Sequence, residues 1–229
     1  MGVVEQRGEA VLKIIGIDPG LGHTGWCVVN LGEDHDIDTI EACGIIQTSI
    51  DKRAARMGVC AEYNVRCEKL QTELDGIIAT HKPSIAIVEA FSGSQSHRAG
   101  VHMSLSFATV TASCRSAGLS PQLLLVSEAR RLLPRSTAAD RSLTAAKLRG
   151  VNGKQFSERV VKEIFGEQIF LDQLEGIANG KREHAYDAAA LVVASMKHPA
   201  VEWARRWSMN KDDNPDRQAA SLREAINMR

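Results

Sequence analysis

The chain has 229 residues, 44% of them apolar and 24% charged, with 18 glycines, which describes a globular protein of one domain or one domain and a tail. Its 28 lysines and arginines balance 28 aspartates and glutamates, so a polybasic nucleic-acid coat is excluded. No apolar run reaches the roughly 18 residues needed to span a bilayer, and Glu5, Arg7 and Glu9 interrupt any secretory core, so a cytoplasmic location is expected.

Val11 to Ile17 is a β-branched run broken by Asp18-Pro19-Gly20, which predicts a buried strand ending in a turn. Thr24 to Asn30 and Ile37 to Thr48 continue as two more strands, joined by a loop in which Glu33, Asp34 and Asp36 stand without a lysine or arginine. Met57, Cys60, Tyr63, Cys67, Leu70, Leu74 and Ile77 recur at three- and four-residue steps, the apolar face of a helix that stops before Pro83. Ser84 to Val88 is an apolar strand ending at Glu89. His97 to Ala117, free of proline, is a predicted helix closed by Gly118, and Gln122 to Val126 is a fifth strand. Ser127 to Gly153 reads as an irregular insertion with short helical pieces, broken by Pro134. Between Ala129 and Lys154 seven basic residues face Asp140 alone, the pattern of a polyanion-following segment or of a solvated connector.

Helices are predicted over Lys154 to Phe165 and Glu183 to His198, the second almost wholly apolar after Asp187. This order implies an α/β domain with a mixed sheet over residues 1–198 and a charged tail over 199–229, whose Trp203 and Trp207 would dock on the domain or on a partner. The five cysteines, at 27, 43, 60, 67 and 114, include no Cys-x-x-Cys pair and are expected to be small buried apolar residues.

Candidate chemistry gathers at the ends of these elements, where α/β folds place their sites. Asp18 ends the first strand, Glu89 ends the fourth, and His184 and Asp187 open the last helix on one shared face. Each alone also fits an ordinary turn, cap or surface histidine. A carboxylate following directly on Ile85-Ala86-Ile87-Val88 is costly to leave unpaired, and metal binding is the economical explanation. Phosphodiester hydrolysis needs an activated water, an in-line path and positive charge on the attacking and leaving oxygens. Two cations about 3.5 to 4 Å apart meet all three needs.

Ile14-Ile15-Gly16-Ile17-Asp18-Pro19-Gly20, with Thr24-Gly25-Trp26, resembles the first motif of the RuvC family of Holliday junction resolvases. Ile85-Ala86-Ile87-Val88-Glu89-Ala90-Phe91 resembles that family's second acidic motif. His184-Ala185-Tyr186-Asp187-Ala188-Ala189-Ala190-Leu191 resembles its last motif, which usually carries aspartate at both polar positions. The resemblance covers about residues 11–198 and implies an RNase H-like fold, a mixed five-stranded sheet flanked by helices. It implies further that Asp18, Glu89, His184 and Asp187 hold two Mg²⁺ ions, with Mn²⁺ able to substitute, and that a homodimer makes paired symmetric nicks in branched DNA, the four-way junction.

His184 departs from the usual aspartate and removes one negative charge, and Glu183 is the alternative ligand. Lys154 resembles a family lysine near the scissile phosphate, or is an ordinary helix-start lysine. Arg130 or Arg131 matches a second basic site, with residues 134–149 standing as an insertion. Phe91 lies one residue nearer the glutamate than the family's base-unstacking aromatic, so it is either that DNA-binding wedge or a core residue. The helix over 97–117 is either the dimer interface or a helix laid on the sheet.

Asp18 to Gly25 also resembles the first phosphate loop of the actin and sugar-kinase superfamily of ATP-binding proteins, without that superfamily's second Asp-Gly-Gly loop. A DNA-binding relative without catalysis, and a nuclease for other branched DNA or RNA-containing substrates, are the remaining alternatives. The tail and the insertion leave a phage or mobile-element origin open, and nothing in the residues identifies a branch-migration motor.

Overall fold

Strand β1 (Lys13–Asp18) sorts the fold into two sides by simple alternation. Ile14 points to one side of the sheet and Ile15 and Ile17 to the other, and each side carries its own apolar core. β1 pairs antiparallel with β2 (His23–Leu31), which pairs antiparallel with β3 (Ile37–Gln47). Its other edge pairs parallel with β4 (Ile85–Ala90), which pairs parallel with β5 (Pro121–Leu125). The result is a mixed five-stranded sheet in the order β3-β2-β1-β4-β5. The computed structural model describes residues 12–32, 37–49, 52–90, 93, 96–135, 150–199 and 201–202.

Seven helices lie among the described residues. Six-residue α1 (Lys52–Met57) breaks at Gly58, whose φ of 119° suits glycine, and α2 (Val59–His81) follows. α2 and α3 (His97–Ser116) cover one face of the sheet, where Leu70, Leu74, Val110 and Cys114 meet Ile15, Ile17, Ala86 and Val88. On the other face lie α4 (Val126–Leu132), α5 (Gly150–Phe165), α6 (Glu167–Gln173) and α7 (Asn179–Ser195). Their Ala129, Phe156, Val161, Phe170 and Val192 pack on Ile14, Cys27, Ile87 and Leu124. No helix among the described residues is long and apolar enough to cross a membrane.

The five strands match their sequence expectations to within two residues at either end, but the helices depart in instructive ways. The expected apolar face of the second helix holds only in its C-terminal half. Its buried row is Glu62, Arg66, Leu70, Leu74 and Ile78, while Met57 is 76% exposed. An i,i+4 ion pair between Arg66 Nη1 and Glu62 Oε1, 3.0 Å long, occupies the inner position in place of Tyr63 and Cys67. Cys27, Cys43 and Cys114 are buried as expected, but Cys60 is exposed and Cys67 only partly covered, a correction that follows from the same rotation.

The short helical pieces expected from residue 127 begin with the seven-residue α4, whereas α6 was not foreseen. α7 starts four residues before Glu183 and ends at Ser195, where i→i+3 bonds such as His198 N to Ser195 O tighten the last turn. Val201 is fully buried in the larger core, so that core runs past residue 198. Trp203, Trp207, the rest of the tail and the 136–149 segment lie outside the described residues.

In β3 the partner register skips Glu41, Val28 facing Ala42 and Val29 facing Ile40. This bulge turns Ile40 to the same side as Cys43, three residues on, and both enter the larger core. Glu41 itself forms an ion pair with Lys13 Nζ at 2.6 Å and a hydrogen bond with His81 Nδ1 at 2.8 Å.

Two glycines decide where α7 sits. A Cβ on Gly16 would stand 2.1 Å from the carbonyl oxygen of Ala188, and one on Gly25 would stand 2.0 Å from that of His184. Neither glycine needs its freedom of φ; both are required because the helix backbone touches the strand backbone. Gly25→Ala is therefore expected to lower the free energy of unfolding by about 3 kcal/mol, as in overpacked cores. Gly76→Ala, where a Cβ meets nothing within 4 Å in mid-helix, should be neutral or stabilising by up to ~1 kcal/mol. Denaturant melts of the two variants check the contrast, and an unchanged midpoint for Gly25→Ala would refute the close approach.

Candidate active site

Because Ile14, Gly16 and Asp18 alternate along β1, Asp18 faces α7. Ile85 and Ile87 face the same way on β4, and so does Glu89. The parallel register pairs Ile17 with Val88, so one step further along both strands brings Asp18 beside Glu89 at the carboxyl edge of the sheet. Gly25, the ladder partner of Asp18, lets His184 of α7 descend onto that edge. His184 Nδ1–H then donates to Asp18 Oδ2 across 2.7 Å.

The carboxylates are buried and crowd one another. Burial raises the pKa of Glu89 well above the usual range, and the charge of Asp18, a hydrogen bond to Asp18 and the charge of Asp187 push the same way. Burial and then the Asp18 charge lift Asp187 to about 6, against the opposing pull of Arg130, Lys154 and His184. The bond to Asp18 holds the pKa of His184 above its ordinary value even though burial opposes it.

Cations border the cluster at two levels. Arg130 is only 7% exposed and lines a recess with Glu89, Asp187 and Ser157, where its charge steadies both carboxylates. Arg131, one residue on, is exposed, so of the two arginines the structure brings Arg130 to the acids. Lys154 Nζ lies 2.8 Å from Glu183 Oε1. Burial works against its charge, but Glu183, with Asp187 and Asp18 beyond, keeps its pKa above the ordinary lysine value. Glu183 is thus engaged by Lys154, while His184 is the group that reaches Asp18. Phe91 lies outside the described residues.

Sequence reasoning passed over His23, Ser157 and Arg66. His23 stacks on His184 with ring centroids 5.9 Å apart and planes 11° off parallel. Its position inside the Asp18–Trp26 motif was the available signal. Arg66 donates from Nε to Thr48 Oγ1 at 3.2 Å, and the Thr48 hydroxyl donates in turn to the carbonyl of Leu21. Thr24 Oγ1 donates to Gly20 O at 2.9 Å. The turn after Asp18 is therefore held from both ends. Nothing in the spacing around Arg66 signals this role, and only the fold puts it beneath the turn.

The donor set of Asp18, Glu89 and Asp187 suits a hard divalent cation, because three acids in a buried corner carry charge that only a cation neutralises without a proton. Among the described residues no three His, Cys, Asp or Glu side chains are gathered about one point in metal-binding geometry. Asp18 is occupied by the His184 proton and by Glu89, so a cation would enter by displacing protons.

No family model matches the chain. It is 31% identical over 80 residues to the crossover junction endodeoxyribonuclease RuvC of Prochlorococcus marinus, a span of 35% of this chain and 44% of that protein. To the protein of the same name from Nitratidesulfovibrio vulgaris it is 29% identical over 110 residues, 48% of this chain and 59% of the other. The chain thus spans about half the length of the curated relatives it matches. Among solved structures, T. thermophilus RuvC in complex with a Holliday junction substrate superposes with a TM-score of 0.56 at 16% identity, covering 86% of this chain and 98% of that one. The yeast mitochondrial Holliday junction resolvase Ydc2 gives 0.56 at 12% identity, covering 90% and 87%. At these identities the likeness is one of fold, and the five-stranded mixed sheet is the RNase H-like fold expected from the sequence.

A raised carboxyl pKa means that the folded protein binds a proton more tightly than the unfolded chain. The contribution of Asp187 to stability is then greatest below its unfolded value of 3.8 and is lost as pH rises through about 6. In chelator at pH 7, Asp187→Asn is expected to stabilise the protein by on the order of 2 kcal/mol, and at pH 4 to do nothing. Urea melts at the two pH values test this; destabilisation at pH 7 would show that the carboxylates do not repel.

Proposed function

We propose that this protein is a RuvC-like Holliday junction resolvase, a metal-dependent endonuclease that nicks four-way DNA junctions in symmetric pairs. The observation that carries the reading is the convergence of Asp18, Glu89, His184 and Asp187 where the two central parallel strands end beneath α7. The similarity to curated proteins named as crossover junction endodeoxyribonucleases supports it. The nucleotide-binding reading has no comparable support, because what meets the turn after Asp18 is a set of acids and a histidine.

In this reading Asp18, Glu89 and Asp187 hold two Mg²⁺ ions, with His184 completing the set. When bound, the cations activate water and stabilise the leaving oxygen. The chain's own groups do the rest. His184 keeps a proton on Nδ1 against Asp18 Oδ2 until the site is loaded, which spares the corner one unbalanced charge. Arg130 stays buried behind Glu89 and Asp187 and opposes the burial that raises the pKa of both. Lys154, tethered by Glu183 and within electrostatic reach of Asp187 and Asp18, is placed to meet a phosphate as it enters. A junction presents two symmetric scissile phosphates, so the reading includes a homodimer with two sites related by a two-fold axis.

The test is cleavage of a synthetic four-way junction beside linear duplex of the same sequence, in Mg²⁺, Mn²⁺ and chelator. Paired nicks confined to the junction and dependent on metal are expected. Asp18→Asn should lose cleavage by on the order of 10³-fold while junction affinity stays near that of the wild type, since phosphate contacts dominate binding. Full activity of Asp18→Asn would remove the acid cluster from the reaction, and cutting of linear duplex alone would overturn junction selectivity.

A further inference from the structure

On α7, Lys181 and Glu183 are two residues apart and project to opposite flanks of the helix, with His184 and Asp187 between them. Glu183 carries Lys154 on the α5 side. Lys181 leans the other way, over the sheet, where its Nζ lies 3.0 Å from Gln47 Oε1. The two lysines differ in one respect that matters: Lys154 is paired with a carboxylate, whereas Lys181 is held by a neutral amide. No acidic residue in the first turn of α7 offsets its charge.

Gln47 is the ladder partner of His23, so Lys181 is fastened beside that histidine. The His23 ring stacks on His184, which is bonded to Asp18. In either protonation state the His23 imidazole keeps at least one N–H to donate. The turn that carries His23 is braced by Thr24 on Gly20 and by Thr48, whose backbone N–H donates to Gly22 O at 3.1 Å. A cation and two further hydrogen-bond donors thus share one rigid edge of the acid cluster. A lysine ammonium with two N–H donors beside it suits an anion.

We propose that Lys181, His23 and Gln47 form a second phosphate-binding lip, on the flank of the acid cluster away from Lys154, which holds a backbone phosphate of the strand next to the one being cut. The inference rests on the nuclease reading. With Lys154 on one flank and this lip on the other, the strand is gripped on both sides of the acids, which fixes the scissile phosphate along the strand direction. Gln47, its oxygen turned to Lys181, presents its NH₂ to the same phosphate.

The experiment is the salt dependence of binding to a four-way junction and to a single-stranded oligonucleotide, in chelator so that nothing is cut, together with wild-type cleavage in Mg²⁺. Lys181→Gln is expected to reduce the slope of log affinity against log salt by about 0.9 on the junction, the value of one lost phosphate contact. His23→Ala should weaken binding about tenfold with little change of slope. Lys197→Gln, which removes the same charge just beyond the C-terminal end of α7, should leave both quantities at the wild-type value, and Lys181→Arg should retain the slope. Wild-type protein that binds and cuts junctions while Lys181→Gln behaves as Lys197→Gln removes the lip and leaves the nuclease. Wild-type protein that binds neither nucleic acid removes both. Unfolding midpoints equal to wild type show that the effects are local; where Lys181→Gln melts early, retention of the slope by Lys181→Arg and its loss in Lys181→Met decide the matter.

Discussion

The contact between the backbone of α7 and the backbones of β1 and β2 is the constraint on which the site depends. It exists because Gly16 and Gly25 leave room where any side chain would meet the carbonyl oxygens of Ala188 and His184. An alanine-rich stretch, Ala188-Ala189-Ala190, matches that closeness from the helix side, all three residues being buried. A helix held at ordinary side-chain distance would carry His184 and Asp187 several ångströms above the acids. At backbone contact they reach Asp18, and the His184 bond of 2.7 Å becomes available.

That closeness has an electrostatic cost, which the surrounding residues offset in layers. Asp18, Glu89 and Asp187 are brought into a corner where burial and then the Asp18 charge raise the last two, and Arg130 from α4 and Lys154 from α5 answer from two directions. Both helices belong to the layer that covers the same face as α7, so the cations arrive by packing. On the opposite face the buried pair of Arg66 and Glu62 braces the turn that follows Asp18. The rim built on His23 and Lys181 stands on that brace, and so the two layers of helices meet, in function, at the end of β1.

Much of this was legible in the residues. The five strands follow from β-branched runs and their turn residues, and the acids were found because a carboxylate after an apolar strand is conspicuous. The Gly16 and Gly25 positions sat inside a recognisable motif. What failed was the reading of α2 as one apolar stripe. Local spacing finds apolar residues at helical steps, but it does not reveal that Glu62 and Arg66 satisfy each other and can therefore occupy the inner face. The exposed Met57 and Cys60 are the other side of that exchange.

The sequence by itself determined the strand order in the chain, the mixed α/β class and the identities of the four residues at the acid corner, since each is set by local alternation or by a short motif. Only the tertiary structure decided that Arg130 and not Arg131 meets the acids, that Glu183 belongs to Lys154, and that His23 and Lys181 stand together. These are pairings between residues 29 to more than 150 apart along the chain. Local chemistry specifies which face of an element is apolar, but the azimuth at which a helix settles on a sheet is fixed by backbone contact. Here that contact is made at two glycines.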